Sequence, residues 1–242
     1  MKASVHSWWN KAKSRIQRRL GAKNWFERST PMMTARNVQY ETADRTRALA
    51  AGGIGAIHLL VRQSGLADLI DRNLHLLKRH LPYHESDHVL NIAYNILAGG
   101  SRIEHLELRR NDEVYLNALG AERIPDPTTE GDFCRRFAET DVLALMESIN
   151  EARLTVWKRQ PESFFAEAVI DADGTIAPTD GECKAGTDFT YNGQCGYHPL
   201  LISLANTGEP LYLVNRSGNR PSAEGAGEWL DRAATLCRRR LN

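Results

Sequence analysis

The stretch "AVIDADGTIAP", residues 168–178, runs apolar through Val169 and Ile170, alternates as Asp171-Ala172-Asp173, and stops at Gly174-Thr175. An apolar run broken by acids and a glycine predicts a strand that ends in a turn. On a strand, alternate side chains share a face. Asp171 and Asp173 therefore point the same way, about 7 Å apart, while Ala168, Ile170 and Ala172 enter the opposite packing layer. Two like charges side by side are costly without a cation, so the pair reads as a metal or phosphoryl site. The plainer reading makes Asp173-Gly174-Thr175 a turn with the aspartate as its local hydrogen-bonding residue.

Downstream, "YHPLLISLA" predicts a second strand and "PLYLVNRS" a third, with "NTGE" between them, so the two form an antiparallel hairpin. A closing helix begins near Ser222. Its Ala226, Trp229, Leu230, Ala233, Ala234 and Cys237 fall on one face, which should cover the sheet. Upstream, from Ile54 to about Arg159, the pattern is helical. "IGAIHLLVRQSG" and "LADLIDRNLHLL" join at Ser64-Gly65, and "SDHVLNIAYNILAGG" opens with polar Ser86 and Asp87 and stops at Gly99-Gly100. "RIEHLELRRNDEVYLNALG", the short "TTEGDFCRRF" and a long helix carrying Val142, Leu145, Met146, Ile149, Ala152 and Val156 follow. The period changes after Pro161. The expected class is α+β: a basic extension over residues 1–30, an all-α module over 31–160, and a β-β-β-α unit over 161–242.

With 42% hydrophobic and 25% charged residues the chain reads as an ordinary globular protein, and a net charge of +1 excludes a molecule that is basic throughout. The charge is unevenly spread. Lys2, Lys11, Lys13, Arg15, Arg18, Arg19, Lys23 and Arg28 face only Glu27 in the first thirty residues. Within them "WWNKAKSRIQRRL" spaces Trp8, Ala12, Ile16 and Leu20 by four, as a basic amphipathic helix does. It reads either as a solvated extension or as a DNA-backbone contact through Arg15, Arg18 and Arg19. Cys134, Cys183, Cys195 and Cys237 are scattered, which excludes a zinc knuckle or disulfide scaffold and fits a reducing cytoplasm. No run is long enough for a membrane span. His80, His84 and His88 have helical spacing, but Pro82 lies between them, so they read as solvated loop histidines.

Two families share the aspartate motif. It resembles the haloacid dehalogenase type of phosphohydrolase, which would make Asp171 the nucleophile, Asp173 the general acid and base, and Mg²⁺ the bridging ion, with Ser203 at a second motif. That family needs a downstream lysine and a later acidic pair. After Asp173 the only lysine is Lys184.

The second resemblance covers more. "D-x-D-x-T" at 171–175, "F-x-Y-N-G" at 189–193, "Y-H-P-L-L" at 197–201 and "S-G-N-x-x-S-x-x-G-A" at 217–226 are similar to bacterial insertion-sequence DDE transposases, in particular the group related to the thirteen-eighty insertion sequence. The helical part, with "DPTTEGDFCRRF", resembles the N-terminal region of such enzymes. The resemblance implies an RNase-H-like domain in which Asp, Asp and Glu hold two Mg²⁺ or Mn²⁺ ions for in-line attack on a DNA phosphodiester. Asp173 matches the first catalytic acid, and Asp171 is a second choice or a supporting residue. Implied partners are the terminal inverted repeats of a transposon, and the implied location is the cytoplasm, at the nucleoid. "SDHVLNIAYNIL" or "TTEGDFCRRF" could form the reading element of a helix-turn-helix, with Arg135 and Arg136 as phosphate contacts; a plain helical bundle is the other reading.

Motif positions Tyr191, Asn192, Gly193, Tyr197 and His198 acquire no chemistry from spacing, and a structural turn is expected at Tyr-Asn-Gly. The departure from the family concerns the later acids. Glu228 and Asp231 fall inside the closing helix and the sequence stops at "LCRRRLN". The expectation is the N-terminal part of a transposase, catalytically incomplete, that binds DNA, self-associates or pairs with an intact copy. In the implied topology the first strand is central, flanked by the second strand and by a fourth that is missing here, so its edge and the Phe165, Val169 and Ile170 layer should be exposed.

Overall fold

The computed structural model describes residues 13–14, 29–34, 51–164, 167–181 and 184–240. The helix expected around Trp8, with Arg15, Arg18 and Arg19, lies outside the described residues, as do Phe165 and Cys183. Among the described residues the chain is α+β, with eight α-helices and two small antiparallel sheets. It divides between Val142 and Leu143 into two compact units.

The first unit is helical: α1 (Ile54–Ser64), α2 (Leu66–Asn73), α3 (Glu85–Leu97), α4 (Leu106–Arg110), α5 (Glu113–Leu119) and α6 (Pro127–Cys134). Punctuation residues set the boundaries. Gly65, at φ 76°, ends α1 and turns the chain into α2. The carboxylate of Asp112 accepts the backbone N–H groups of Val114 and Tyr115 at the start of α5, and Asp126 does the same for Thr128 and Thr129 ahead of Pro127 on α6. Asp87 caps α3 through the His84 N–H at 2.9 Å and also accepts from Met32 (2.9 Å) and Met33 (3.1 Å), pinning a sequence-distant segment onto the helix. Met32 and Met33 join Ile54, Leu90, Tyr94, Tyr115, Leu119 and Ile124 in the core.

This unit buries polar groups as well as apolar ones. On α3, Glu85, Ser86, Asp87, His88, Asn91 and Asn95 are buried alongside Leu90 and Tyr94. Glu130 on α6 is wholly buried; His88 Nδ1 lies 3.1 Å from one carboxylate oxygen, and Asn91 Nδ2 donates to the other at 2.6 Å. Phe133 stacks on His88 with ring centroids 4.3 Å apart. The expectation of solvated histidines is therefore corrected. His84 and His88 are interior, because carboxylates on neighbouring elements give their polar edges partners that water would otherwise supply. Nor is α3 free to enter a DNA groove, since it is enclosed on most of its circumference. Burial raises the pKa of Glu130, with the His88 and Asn91 contacts opposing it.

The second unit takes up most of α7 (Glu139–Trp157), then β1 (Ile170–Gly174), β2 (Ala177–Pro178), β3 (Asp188–Phe189), β4 (Cys195–Tyr197), β5 (Leu200–Leu204), β6 (Glu209–Val214) and α8 (Ala226–Arg238). The main sheet has the order β1-β5-β6 and is antiparallel throughout; β2-β4-β3 form the smaller one. Its core packs Leu200, Ile202 and Leu204 against Leu211, Tyr212, Leu154, Trp157 and the Ala233, Leu236 and Cys237 face of α8. The expected hairpin and covering helix are both present. The sequence marks the change of backbone period near Pro161, whereas packing divides the chain inside α7, because that helix spends Leu154 and Trp157 on the sheet.

Two measurements check this account. Glu130→Ala leaves His88 and Asn91 without their buried acceptor and should cost about 3 kcal/mol or more in urea unfolding; a loss below about 1 kcal/mol would contradict the network. Burial is the main cause that lowers the pKa of His58, whose Nδ1 shares a 2.8 Å hydrogen bond with the Tyr94 hydroxyl. The unfolded chain takes up this proton near 6.5 and the folded chain only at a lower pH, so stability should be lost as pH falls through the unfolded value. The wild type should lose more than His58→Gln between about pH 7.5 and about pH 5.5.

Candidate functional site

Strand β1 carries Asp171 and Asp173 on one face, and both are exposed. Ala168, Ile170 and Ala172 pack against the core from the other face, as alternation requires. Pairing with β5 places Asp171 opposite Ser203 and Asp173 opposite Leu201. Directly opposed residues share a face, so the face bearing the acids also carries Leu201 and Ser203, while Leu200, Ile202 and Leu204 are buried beneath the sheet. Neither Asp171 nor Asp173 has a hydrogen bond or ion pair among the described residues.

The two edges of this sheet are treated differently. Along β6, α7 supplies side chains to the backbone: Asn150 Nδ2 donates to the Leu211 carbonyl at 3.1 Å, Arg153 donates to the Pro210 carbonyl at 2.7 Å, and Leu213 N–H donates to Met146 Sδ at 3.4 Å. Along β1 no strand or helix pairs the outer edge among the described residues. Val169, on the same face as the acids, is 52% exposed. Among the described residues the expected open edge and exposed valine are both present, but Ile170 is not exposed with them: it alternates onto the opposite face, where it is half-buried against the core.

Both ends of β1 are fixed. At its start, Val169 N–H donates to Asn206 Oδ1 at 2.8 Å, and Asn206 Nδ2 donates to the Glu167 carbonyl at 2.9 Å. At its end, Thr175 N–H donates to the Pro199 carbonyl, and Gly174 lies against His198 and Ser222. A β-carbon at Gly174 would sit 2.5 Å from His198 Nε2 and 3.0 Å from Ser222 Oγ. His198 is 5% exposed, and its Nδ1 is 2.6 Å from the Arg220 carbonyl, which fixes Nδ1 as the protonated nitrogen. Arg216 completes the arrangement: Nε donates to the His198 carbonyl, and Nη1 to the carbonyls of Pro221, Ser222 and Glu224.

Motif residues far apart in the chain thus form one lock between the acid-bearing strand and the approach to α8. Gly218 instead packs against the smaller sheet, where a β-carbon would lie 2.3 Å from the Asp188 carbonyl and 2.8 Å from the Gly196 carbonyl. Sequence reasoning singled out His198 without a role and missed Arg216 altogether. Only the density of carbonyls converging on one guanidinium reveals Arg216, and no spacing encodes that.

The Tyr-Asn-Gly segment is a turn from β3 to β4. Thr190 N–H and Oγ1 both donate to the Gln194 carbonyl, and Gly193 adopts φ 79°. Lys184 Nζ donates to Thr179 Oγ1 at 2.7 Å, and no ion pair joins it to Asp171. Arg135 is paired with Asp132, and Arg136 donates to the Leu76 carbonyl at 3.3 Å; both are exposed. They lie in the helical unit, apart in sequence from the aspartate strand.

A sequence model described as transposase DDE domain group 1 matches residues 31–242. The chain belongs to this family. No curated protein and no solved structure matches it. DDE transposases act in DNA transposition and use divalent metal ions. The acid pair fits that chemistry in part. It offers hard oxygen donors, unclaimed by other groups, to a cation of the Mg²⁺ type. Among the described residues no third His, Cys, Asp or Glu joins them in a cluster. No helix is long and apolar enough to cross a membrane.

The lock is open to a double-mutant test. Gly174→Ala should destabilise by about 1–3 kcal/mol through overpacking against His198. Adding His198→Ala should recover part of that loss, a coupling that unfolding midpoints would reveal. Strict additivity of the two changes would show that the residues do not meet.

Proposed function

We propose that this chain carries the first acidic strand of an RNase-H-like DDE transposase of the thirteen-eighty insertion-sequence group, with Asp173 as the first catalytic acid and Asp171 supporting it. The observation that carries the reading is the pair of unengaged, exposed carboxylates on β1, a strand whose outer backbone edge has no partner among the described residues. An RNase-H-like sheet places a further strand at that edge. The antiparallel order β1-β5-β6 followed by α8 supports the same reading.

Asp171 and Asp173 would hold Mg²⁺ or Mn²⁺, which when bound supplies Lewis-acid activation of an attacking hydroxyl and neutralises charge at the phosphodiester. The chain's own residues do the positioning. The His198–Gly174 contact and the Asn206 cap hold β1 at both ends, so the two carboxylates project from a strand that cannot slide. Among the described residues no third acid stands with the pair, so a two-metal site is not complete there, and we propose that these residues bind DNA without cutting it. The helical unit and the basic N-terminal residues, with Arg15, Arg18, Arg19, Arg135 and Arg136, are the proposed DNA contacts, and transposon terminal inverted repeats the proposed target. Self-association or pairing with an intact transposase would supply the missing acids. The cytoplasm, at the nucleoid, is the corresponding location.

A gel-shift titration tests the binding half. Inverted-repeat duplex should be retarded at low salt and released as salt rises; failure to shift at low salt would remove the DNA-binding reading. Incubation of the same duplex with Mg²⁺ tests the other half. It should stay intact, and strand cleavage that Asp173→Ala abolishes would overturn the claim of incompleteness.

A further inference from the structure

The loop between α2 and α3 is held by an uncommon amount of buried chemistry for a surface connection. Glu85, 1% exposed, accepts the backbone N–H groups of Leu76 at 3.0 Å and Leu77 at 2.9 Å through Oε1, while Oε2 lies 3.1 Å from His80 Nε2. His80 stacks on His84, ring centroids 3.9 Å apart. From the other side, Arg136 Nη1, just beyond α6, donates to the Leu76 carbonyl. Leu76 is therefore gripped through its N–H by Glu85, at the start of the next helix, and through its carbonyl by the sequence-distant Arg136.

Between these pins Lys78 and Arg79 stand exposed, with no hydrogen bond or ion pair among the described residues. Arg135 is the residue next to the Arg136 pin. It is 71% exposed, and its pairing with the equally surface-lying Asp132 is weak enough for a stronger anion to displace. Arg72, in the last turn of α2, is exposed as well.

We propose that the pinned loop 75–79, with Arg135 beside it, is a contact for the phosphate backbone of duplex DNA. The inference rests on the DNA-binding reading above and adds residues and a mode of recognition to it. Holding the loop backbone through Glu85 and Arg136 leaves chiefly the side chains of Lys78 and Arg79 to order within it when phosphates arrive, which favours binding by reducing its entropic cost. Nothing at the tip is built to read bases: Lys78 and Arg79 are point and fork cations without a helix to insert, so the contact positions DNA and does not specify its sequence.

The salt dependence of binding by the whole chain decides the matter. Replacing both side chains, in Lys78→Ala/Arg79→Ala, should make the slope of log affinity against log salt shallower by about 1.8, since each phosphate contact contributes about 0.9. The loss should be the same on inverted-repeat and scrambled duplex. Removing the same charge elsewhere, in Lys158→Ala/Arg159→Ala, should leave the slope alone, and Lys78→Arg/Arg79→Lys should restore it. Undiminished slope in a variant that still shifts duplex would overturn the loop contact and leave the proposed function standing. A loss confined to inverted-repeat DNA would overturn the backbone mode. If the unaltered chain shifts no duplex at low salt, both readings fall together.

Discussion

A β-strand has two hydrogen-bonding edges, and among the described residues β1 has a partner for only one. Much of the second unit follows from that constraint. The opposite end of the sheet meets the same requirement with side chains, α7 lending Asn150, Arg153 and Met146 to the backbone of β6. The N–H and carbonyl groups along the outer edge of β1, without a strand partner among the described residues, are a template for another strand. Charge on the adjoining face guards it, because a strand that added there would bring its side chains beside Asp171 and Asp173. The arrangement tolerates a partner that delivers cations or shares a metal and disfavours an apolar one.

That strand is also the most constrained of the sheet at its ends. The Gly174 contact with His198 leaves no room for a β-carbon, and the Arg216 guanidinium gathers the carbonyls of His198, Pro221, Ser222 and Glu224. Three of these carbonyls share the two N–H groups of Nη1 at an exposed site, so the arrangement counts for its geometry more than for a sum of bond energies. An open edge thus coexists with an immobile strand, since the lock acts through loop and turn residues and not through the sheet ladder.

What the sequence discloses differs by element. The hairpin of β5 and β6 and the face of α8 were legible because burial there follows period: Leu200, Ile202 and Leu204 alternate, and Ala233 and Cys237 recur at helical spacing. The common face of Asp171 and Asp173 was legible for the same reason. The buried polar interior of the helical unit was not. Glu85, Asp87 and Glu130 look like surface acids in sequence, and the partners of the last two, Met32 and Asn91 among them, lie too far away for any window to connect. His84 and His88 were read as solvated on the strength of Pro82, when the deciding fact was a carboxylate on another element. Arg216 was illegible in the strict sense, because its partners are backbone carbonyls, which every residue has.

The acids of the molecule therefore divide by what they already hold. Asp87, Glu85 and Glu130 spend their oxygens on backbone and side-chain donors, and for Asp87 and Glu130 burial raises the pKa against those contacts. Asp112 and Asp126 each cap a helix. Such carboxylates are structural: a cation could reach them only by displacing hydrogen bonds the fold depends on. Asp171 and Asp173 have no such obligation. Two like charges kept on one face without a structural partner, on a strand held fixed at both ends, are a standing cost to stability that a bound cation would reverse. The cost is small because both groups are in water, and it falls on the two acids proposed to hold a divalent cation.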